Sequence, residues 1–235
     1  MYELNSRVCA SRTDESGVMR LAGAMDVIQD CSLLWLESEP SFAKFLAANR
    51  LGMFLTSRQA DILRLPVYGE RIRVQTRIYD CNKYFGFRNT ALFGEDGRPC
   101  ILSWCVGAFV SLETGSMVSL PKEEMAKVAL DPKLGMDYLG RKIALPKLPG
   151  EELPAFPVRR SDIDLNGHMN NAKYIEAALE CLPEGAAIRR LRVEYRAPAR
   201  HGDLLYPRYI PSPEGKRFVL LCSEAKRPYA VTEFS

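Results

Sequence analysis

The residues able to do chemistry gather in one short stretch, Arg159-Arg160-Ser161-Asp162-Ile163-Asp164-Leu165-Asn166-Gly167-His168-Met169-Asn170-Asn171-Ala172-Lys173-Tyr174. It holds two acids, three amides and one of the chain's two histidines. Directly after it, Ala172, Ile175, Ala178, Leu179 and Leu182 recur at helical spacing, with Lys173, Glu176 and Glu180 on the opposite stripe. This predicts a helix over Asn171–Leu182 and sets His168 on the turn at its N-terminus. The positive end of a helix dipole keeps an imidazole neutral and favours nearby negative charge. Such a position suits a reaction in which an oxyanion develops. Capping explains any single one of these residues, because Asp and Asn begin helices and Asn-Gly makes turns. It does not explain the cluster, since one helix needs one cap.

The elements that must position this stretch follow from periodicity. Residues 2–13 read as a strand or arm. Leu21, Met25, Ile28, Ser32 and Trp35, reinforced by Ala24 and Cys31, predict a helix that ends before Pro40. Asp30 lies beside that apolar face and should find a partner. A second helical piece spans Phe42–Asn49. The period then becomes two. Residues 71–78 alternate cleanly, Phe85–Phe93 is a second strand, and Glu95-Asp96-Gly97 makes a hairpin turn. Within Ile101–Leu112, the residues Leu102, Trp104, Val106, Ala108, Val110 and Leu112 form one apolar face, which the first helix is expected to cover. Residues 120–157 carry repeated prolines and read as a crossover.

Beyond the crossover the pattern recurs. A short strand and the helix at 170–182 precede strands near 187–197 and 203–210 and two more between 216 and 234. Asp61–Glu70 can be laid over Glu194–Asp203: both begin with an acid and a large apolar residue, and both end aromatic–Gly–acid. These features predict two copies of one α+β unit. A long helix wrapped by an antiparallel sheet is the hot-dog arrangement, so the expected fold is a tandem, double hot-dog. Its expected parts are residues 1–122, a linker at 123–154, and residues 155–235.

Composition narrows the classes. The chain has 235 residues, nearly half of them hydrophobic, enough for a substantial core. A net charge of +3 does not argue for nucleic acid. Seven cysteines without a Cys-x-x-Cys pair indicate neither a zinc site nor a disulfide framework. The longest apolar run is too short to span a bilayer, and Met1–Asn5 has no basic-then-apolar signal pattern, so a cytoplasmic protein is expected.

The run Asp164-x-Asn166-x-His168-x-Asn170-Asn171-x-x-Tyr174, followed by Leu191-x-x-Glu194-Tyr195-Arg196, resembles the plant and bacterial acyl-ACP thioesterase family. Ile28-Gln29-Asp30-Cys31-Ser32, Pro66-x-x-Gly69-Glu70 and Trp104 support the likeness in the first half. The resemblance implies a double hot-dog fold and hydrolysis of the thioester between a fatty acyl chain and the phosphopantetheine of acyl carrier protein. It implies no metal or diffusible cofactor, and it admits a homodimer. By the same resemblance Asp164, Asn166 and His168 match the catalytic Asp, Asn and His, and the first half supplies an apolar acyl tunnel, with Met25, Ile28, Trp35 and Met53 as candidates. The family also has an acid, often followed by cysteine, just after Glu-Tyr-Arg; here those positions hold Pro198 and Ala199. Glu194 shares strand parity with position 198 but lies about 13 Å away along a strand.

Hydrolysis needs a base for water and donors for the oxyanion. Asp164 or a neutral His168 is the expected base. Asn166 and the backbone N–H groups of Gly167–Met169 are the expected donors. The run Arg189, Arg190, Arg192, Arg196 and Arg200 reads as a solvated strand face, with docking of an acidic carrier as the competing role. Two other functions fit the same residues: an acyl-CoA thioesterase, and a hot-dog acyl-thioester binder without hydrolysis.

Overall fold

Leu21–Leu34 forms the helix α1, and its apolar spacing does what the sequence predicts: Leu21, Ala24, Met25, Val27, Ile28 and Cys31 are buried. In the computed structural model, which describes residues 1–235, α1 belongs to the first of two units, Met1–Leu139 and Gly140–Ser235.

In the first unit the strands are β1 (Tyr2–Arg7), β2 (Leu51–Ile62), β3 (Arg71–Cys81), β4 (Phe85–Phe93) and β5 (Pro99–Ser111). They pair antiparallel in the order β1–β3–β4–β5–β2. The expected arm at 2–13 is a strand only to Arg7; a short 3-10 turn at Ala10–Arg12 follows. The second helix, α2, runs Pro40–Ala48 and begins on its proline, whose fixed φ and missing N–H suit a first turn. Strand β2 has no counterpart in the periodicity reading. Its middle, Ser57-Arg58-Gln59, is buried yet polar, so hydropathy gives no strand signal there.

The face of β5 that meets the helices also differs from expectation. Trp104 meets the tilted ring of Tyr138 at 5.6 Å and donates from Nε1 to Gln59 Oε1 at 3.1 Å. The opposite parity meets the helices: Phe109 packs on Phe42 of α2 at 6.3 Å. Both faces of β5 are buried, and a strand buried on both sides carries no alternation that says which side a helix covers.

The second unit contains β6 (Glu151–Glu152), β7 (Phe156–Pro157), α4 (Asn171–Leu179), β8 (Arg190–Tyr195), β9 (Leu204–Pro211), β10 (Arg217–Cys222) and β11 (Pro228–Phe234). Here α4 is numbered after a single turn of helix in the first unit, α3 (Lys122–Met125). The order is β8–β11–β10–β9–β6, antiparallel throughout, with β7 also on β9. Helix α4 lies against β10 and β11. Ile143, Leu145 and Leu148 pack with Ile210, Phe218, Leu220 and Val231. The proline-rich stretch is thus shared out: Val128 joins the core of Trp35 and Phe109, and residues 143–148 join the second sheet.

The two units repeat one plan, an antiparallel sheet with a helix packed on it, so the fold is α+β. The alignment of 61–70 with 194–203 holds at the level of hydrogen bonds. Gly69 N–H donates to Val8 O at 2.9 Å and Gly202 N–H to Val158 O at 3.1 Å. Val8 N–H returns to Glu70 O at 3.0 Å, as Val158 N–H does to Asp203 O at 2.8 Å. Both glycines have positive φ, +81° and +89°, the left-handed region that other residues avoid. No helix is long and apolar enough to cross a membrane.

Candidate active site

The polar stretch folds as a tight turn ahead of α4. Ile163 and Met169 form an antiparallel bridge. Inside it, Asp164 N–H donates to His168 O at 2.9 Å and Gly167 N–H to Asp164 O at 3.0 Å. Gly167 sits at φ +73°, which closes the turn. The Asp164 carboxylate accepts from Asn166 N–H at 2.8 Å through Oδ1 and from Asn166 Nδ2 at 3.4 Å through Oδ2. Asp164 and His168 are half-buried, Asn166 is exposed, and Nδ1 of His168 is shielded from solvent. The three predicted residues therefore share one turn: Asp164 and Asn166 touch through side chains, and His168 is tied to Asp164 through the backbone.

Asn170 takes the plain capping role. Its Oδ1 accepts from Ala172 N–H at 2.9 Å, and its own N–H donates to Asp162 O at 2.8 Å. Helix α4 is regular only to Leu179; Cys181 and Leu182 continue it in tighter i to i−3 bonds.

Two of the expected backbone oxyanion donors are already engaged. Gly167 N–H is committed to Asp164, and Met169 N–H donates to Ala199 O at 2.9 Å. What the turn offers instead is the side-chain amide of Asn166 and the first amide of α4, which has no partner within its own helix.

Pro198 and Ala199 occupy a loop, because β8 ends at Tyr195. Strand parity therefore does not carry from Glu194 to position 198. Glu194 is engaged elsewhere: its carboxylate accepts from Ile143 N–H at 3.1 Å and from Arg196 Nε and Nη2 at 3.2 Å each. Burial works to raise its pKa, but the Arg196 and Ile143 bonds outweigh that and hold it below the usual carboxylate range. Position 199 instead makes a backbone clamp: buried Ala199 accepts from Met169 N–H and donates its own N–H to Tyr174 Oη at 2.7 Å. Burial pushes the Tyr174 phenol up to about 12, so it stays protonated. Tyr174 meets the ring of Tyr195 edge-on at 5.7 Å, and Tyr195 Oη donates to Asn171 O at 2.9 Å. Sequence reading treated Tyr174 and Tyr195 only as parts of a motif; here they brace the turn from beneath.

The basic run is not one face. Arg192 is largely buried, with Nη1 2.9 Å from Glu233 Oε2, and it also donates to Lys142 O. Asp30 lies on the exposed side of α1; partial burial raises its carboxyl above the usual range and the charge of Arg12 opposes the shift. The first unit has a shallow depression of about 580 Å³ lined by Arg64, Val67, Gly69, Glu70, Glu95 and Asp96. Its charges answer one another: Arg64 grips Glu70 through two bonds of 3.1 and 2.6 Å, which hold the Glu70 carboxyl low.

Known proteins share this plan. The acyl-ACP thioesterase N-terminal domain matches residues 1–128 and the C-terminal domain matches residues 149–212. The chloroplastic acyl-[acyl-carrier-protein] hydrolase of Cuphea viscosissima is 26% identical over 227 residues, which is 88% of this chain. The chain spans about half of that relative, 55% of its length. An acyl-ACP thioesterase from Bacteroides thetaiotaomicron superposes with a TM-score of 0.87 at 20% identity, over 99% of this chain and 96% of that one. The 12:0-ACP thioesterase from Umbellularia californica gives 0.88 at 14% identity, over 100% and 96%. These structures share the double hot-dog fold. With both of its domains matched in order, the chain belongs to the acyl-ACP thioesterase family.

Proposed function

We propose that the chain hydrolyses the thioester between a fatty acyl group and the phosphopantetheine arm of acyl carrier protein, releasing free fatty acid and ending fatty acid synthesis. The observation that carries this reading is a carboxylate, a carboxamide and an imidazole held in one turn at a helix N-terminus, in a chain of this family.

His168 takes a proton from the attacking water and returns it to the departing sulfur, so the products are a carboxylic acid and a free thiol. The Asn166 amide donates to the tetrahedral oxyanion. Asp164 positions Asn166 through both oxygens, one on its backbone N–H and one on its side-chain amide. With proline and alanine at 198 and 199, the acid–base groups of this reading are Asp164 and His168. Residues 155–235 carry the chemistry, residues 1–122 receive the acyl chain, and 123–154 connect them.

The test is release of free thiol from acyl-ACP and acyl-CoA of equal chain length, under matched conditions. The reading requires faster release from the carrier protein. Equal rates would remove acyl carrier protein as the preferred carrier, and no thiol from either would make the protein a binder.

A further inference from the structure

A turn like that of the candidate site also precedes α1, with Asp14, Gly17 and Met19 where the second has Asp164, Gly167 and Met169. By the same count Ala24 of α1 corresponds to Tyr174 of α4. In the matched segments 61–70 and 194–203, Pro66 corresponds to Ala199. Each of these two residues seats the turn through its carbonyl. Met19 N–H donates to Pro66 O at 2.8 Å, and Met169 N–H to Ala199 O at 2.9 Å. The sheets pin both segments alike: Leu63 and Arg64 N–H share Cys100 O at 2.8 and 3.2 Å, and Arg196 and Ala197 N–H share Tyr229 O at the same distances.

Against this common frame, two positions differ together. Proline has no N–H, so buried Pro66 leaves no donor to satisfy, and Ala24 brings no acceptor. Ala199 keeps its N–H in a buried place, and the buried phenol of Tyr174 accepts it at 2.7 Å. A buried N–H without an acceptor is costly, so donor and acceptor are useful only as a pair. The first unit has neither and the second has both. Position 199 carries only a methyl group, so it acts on the turn through its backbone. Its N–H is held by α4, and its carbonyl holds Met169, the residue next to His168.

We infer that Tyr174 is a positioning residue for His168: the phenol fixes the backbone of Ala199, and Ala199 in turn fixes the His168–Met169 end of the turn over α4. That the fixed imidazole serves hydrolysis rests on the thioesterase reading above; the fixing itself does not.

The test uses two readouts on the whole chain. One is amide hydrogen exchange at Met169, with Met19 as the internal reference in the first turn. The other is kcat and KM for acyl-ACP. Tyr174→Phe keeps the ring and removes the acceptor. Met169 should then exchange about tenfold faster while Met19 is unchanged. The kcat should fall about tenfold with KM within about twofold, as expected of a misplaced base rather than weaker binding. Tyr195→Phe removes the bond of 2.9 Å to Asn171 O without touching Ala199, so Met169 should stay protected. Ala199→Pro alone breaks the same pair from the other side and should also lower kcat, which keeps the inference open to refutation if Tyr174→Phe does not fold. Combined with Tyr174→Phe, Ala199→Pro copies Pro66 and should restore both Met169 protection and most of the lost kcat. An unchanged Met169 rate or an unchanged kcat in Tyr174→Phe overturns the proposal. So does equal loss of protection in Tyr195→Phe, or a double variant no better than Tyr174→Phe, because the phenol would then not act through Ala199. If the parent itself releases no thiol, the thioesterase reading fails, and the exchange rates still decide whether Tyr174 fixes the turn.

Discussion

Two turns, 150 positions apart, share one backbone and differ in their chemistry. Asp14-Glu15-Ser16-Gly17-Val18-Met19 precedes α1 and Asp164-Leu165-Asn166-Gly167-His168-Met169 precedes α4. In the first, Asp14 N–H donates to Val18 O at 2.9 Å, Gly17 N–H to Asp14 O at 3.1 Å, and Ser16 N–H to Asp14 Oδ1 at 3.0 Å. Each bond has its counterpart at Asp164, Gly167 and Asn166. Met19 N–H reaches Pro66 O at 2.8 Å where Met169 N–H reaches Ala199 O. The aspartate, the glycine and the methionine are thus what the turn needs to exist. Asn166 and His168 are what the second turn has and the first lacks. Asp164 acts structurally, as Asp14 does, and the chemistry proposed for it runs through the groups it holds.

The first unit therefore supplies the substitutions that separate structure from chemistry. His168→Val puts into the second turn the residue the first already uses. Turnover of acyl-ACP should fall by about 10²–10⁴, the usual share of a general base. The melting temperature should hold within about 2 °C, because the fold accommodates valine there. Asn166→Ser should cost about 10²–10³ in turnover through loss of an oxyanion donor, again with little change in melting. Retained turnover in both variants would make the two turns equivalent and remove the site from this place.

The same pairing explains how far sequence reading could go. The second turn was legible because acids, amides and a rare histidine crowd together. The first holds the same Asp, Gly and Met at the same spacing, so a search for that spacing would have found it; Ser16 and Val18 simply look like an ordinary loop. Strands that bury one face, such as β3, were legible from alternation. Strand β2 was not, since its centre buries Ser57, Arg58 and Gln59. Nor were the amides of Gly167 and Met169, whose acceptors are chosen by the turn closure and by Ala199, thirty residues further along the chain.

A middle-sized effect tests the shared backbone itself. Gly17 and Gly167 hold φ at +79° and +73°, with open space where a Cβ would go at Gly167 and only Tyr68 Cβ, at 3.8 Å, near Gly17. Alanine at either position should cost about 1 kcal/mol, the left-handed penalty, or about 2–4 °C of melting. The two losses should match, while only Gly167→Ala also lowers turnover by tilting Asn166 and His168. A cost in one turn alone would show that the two backbones are not held alike.

The smallest expected effect concerns the carboxylate that both turns share. Bonds from Ser16, chiefly its hydroxyl at 2.7 Å, hold the Asp14 carboxyl below the usual range against a weak opposing pull from desolvation. A carboxyl whose pKa is lowered on folding stabilises the fold above its unfolded pKa, near 3.9, and loses that contribution as pH falls through the folded value. Asp14→Asn cannot titrate. The variant should therefore melt slightly below the parent at neutral pH, and the gap should close as pH drops below about 4. Because Asp14 is fully open to solvent, added salt should shrink the gap as well. Melting curves between neutral pH and pH about 2 decide it. A gap that stays constant across that range would mean the charge of Asp14 does nothing for its turn, and the structural role assigned to Asp164 by comparison would then rest on geometry alone.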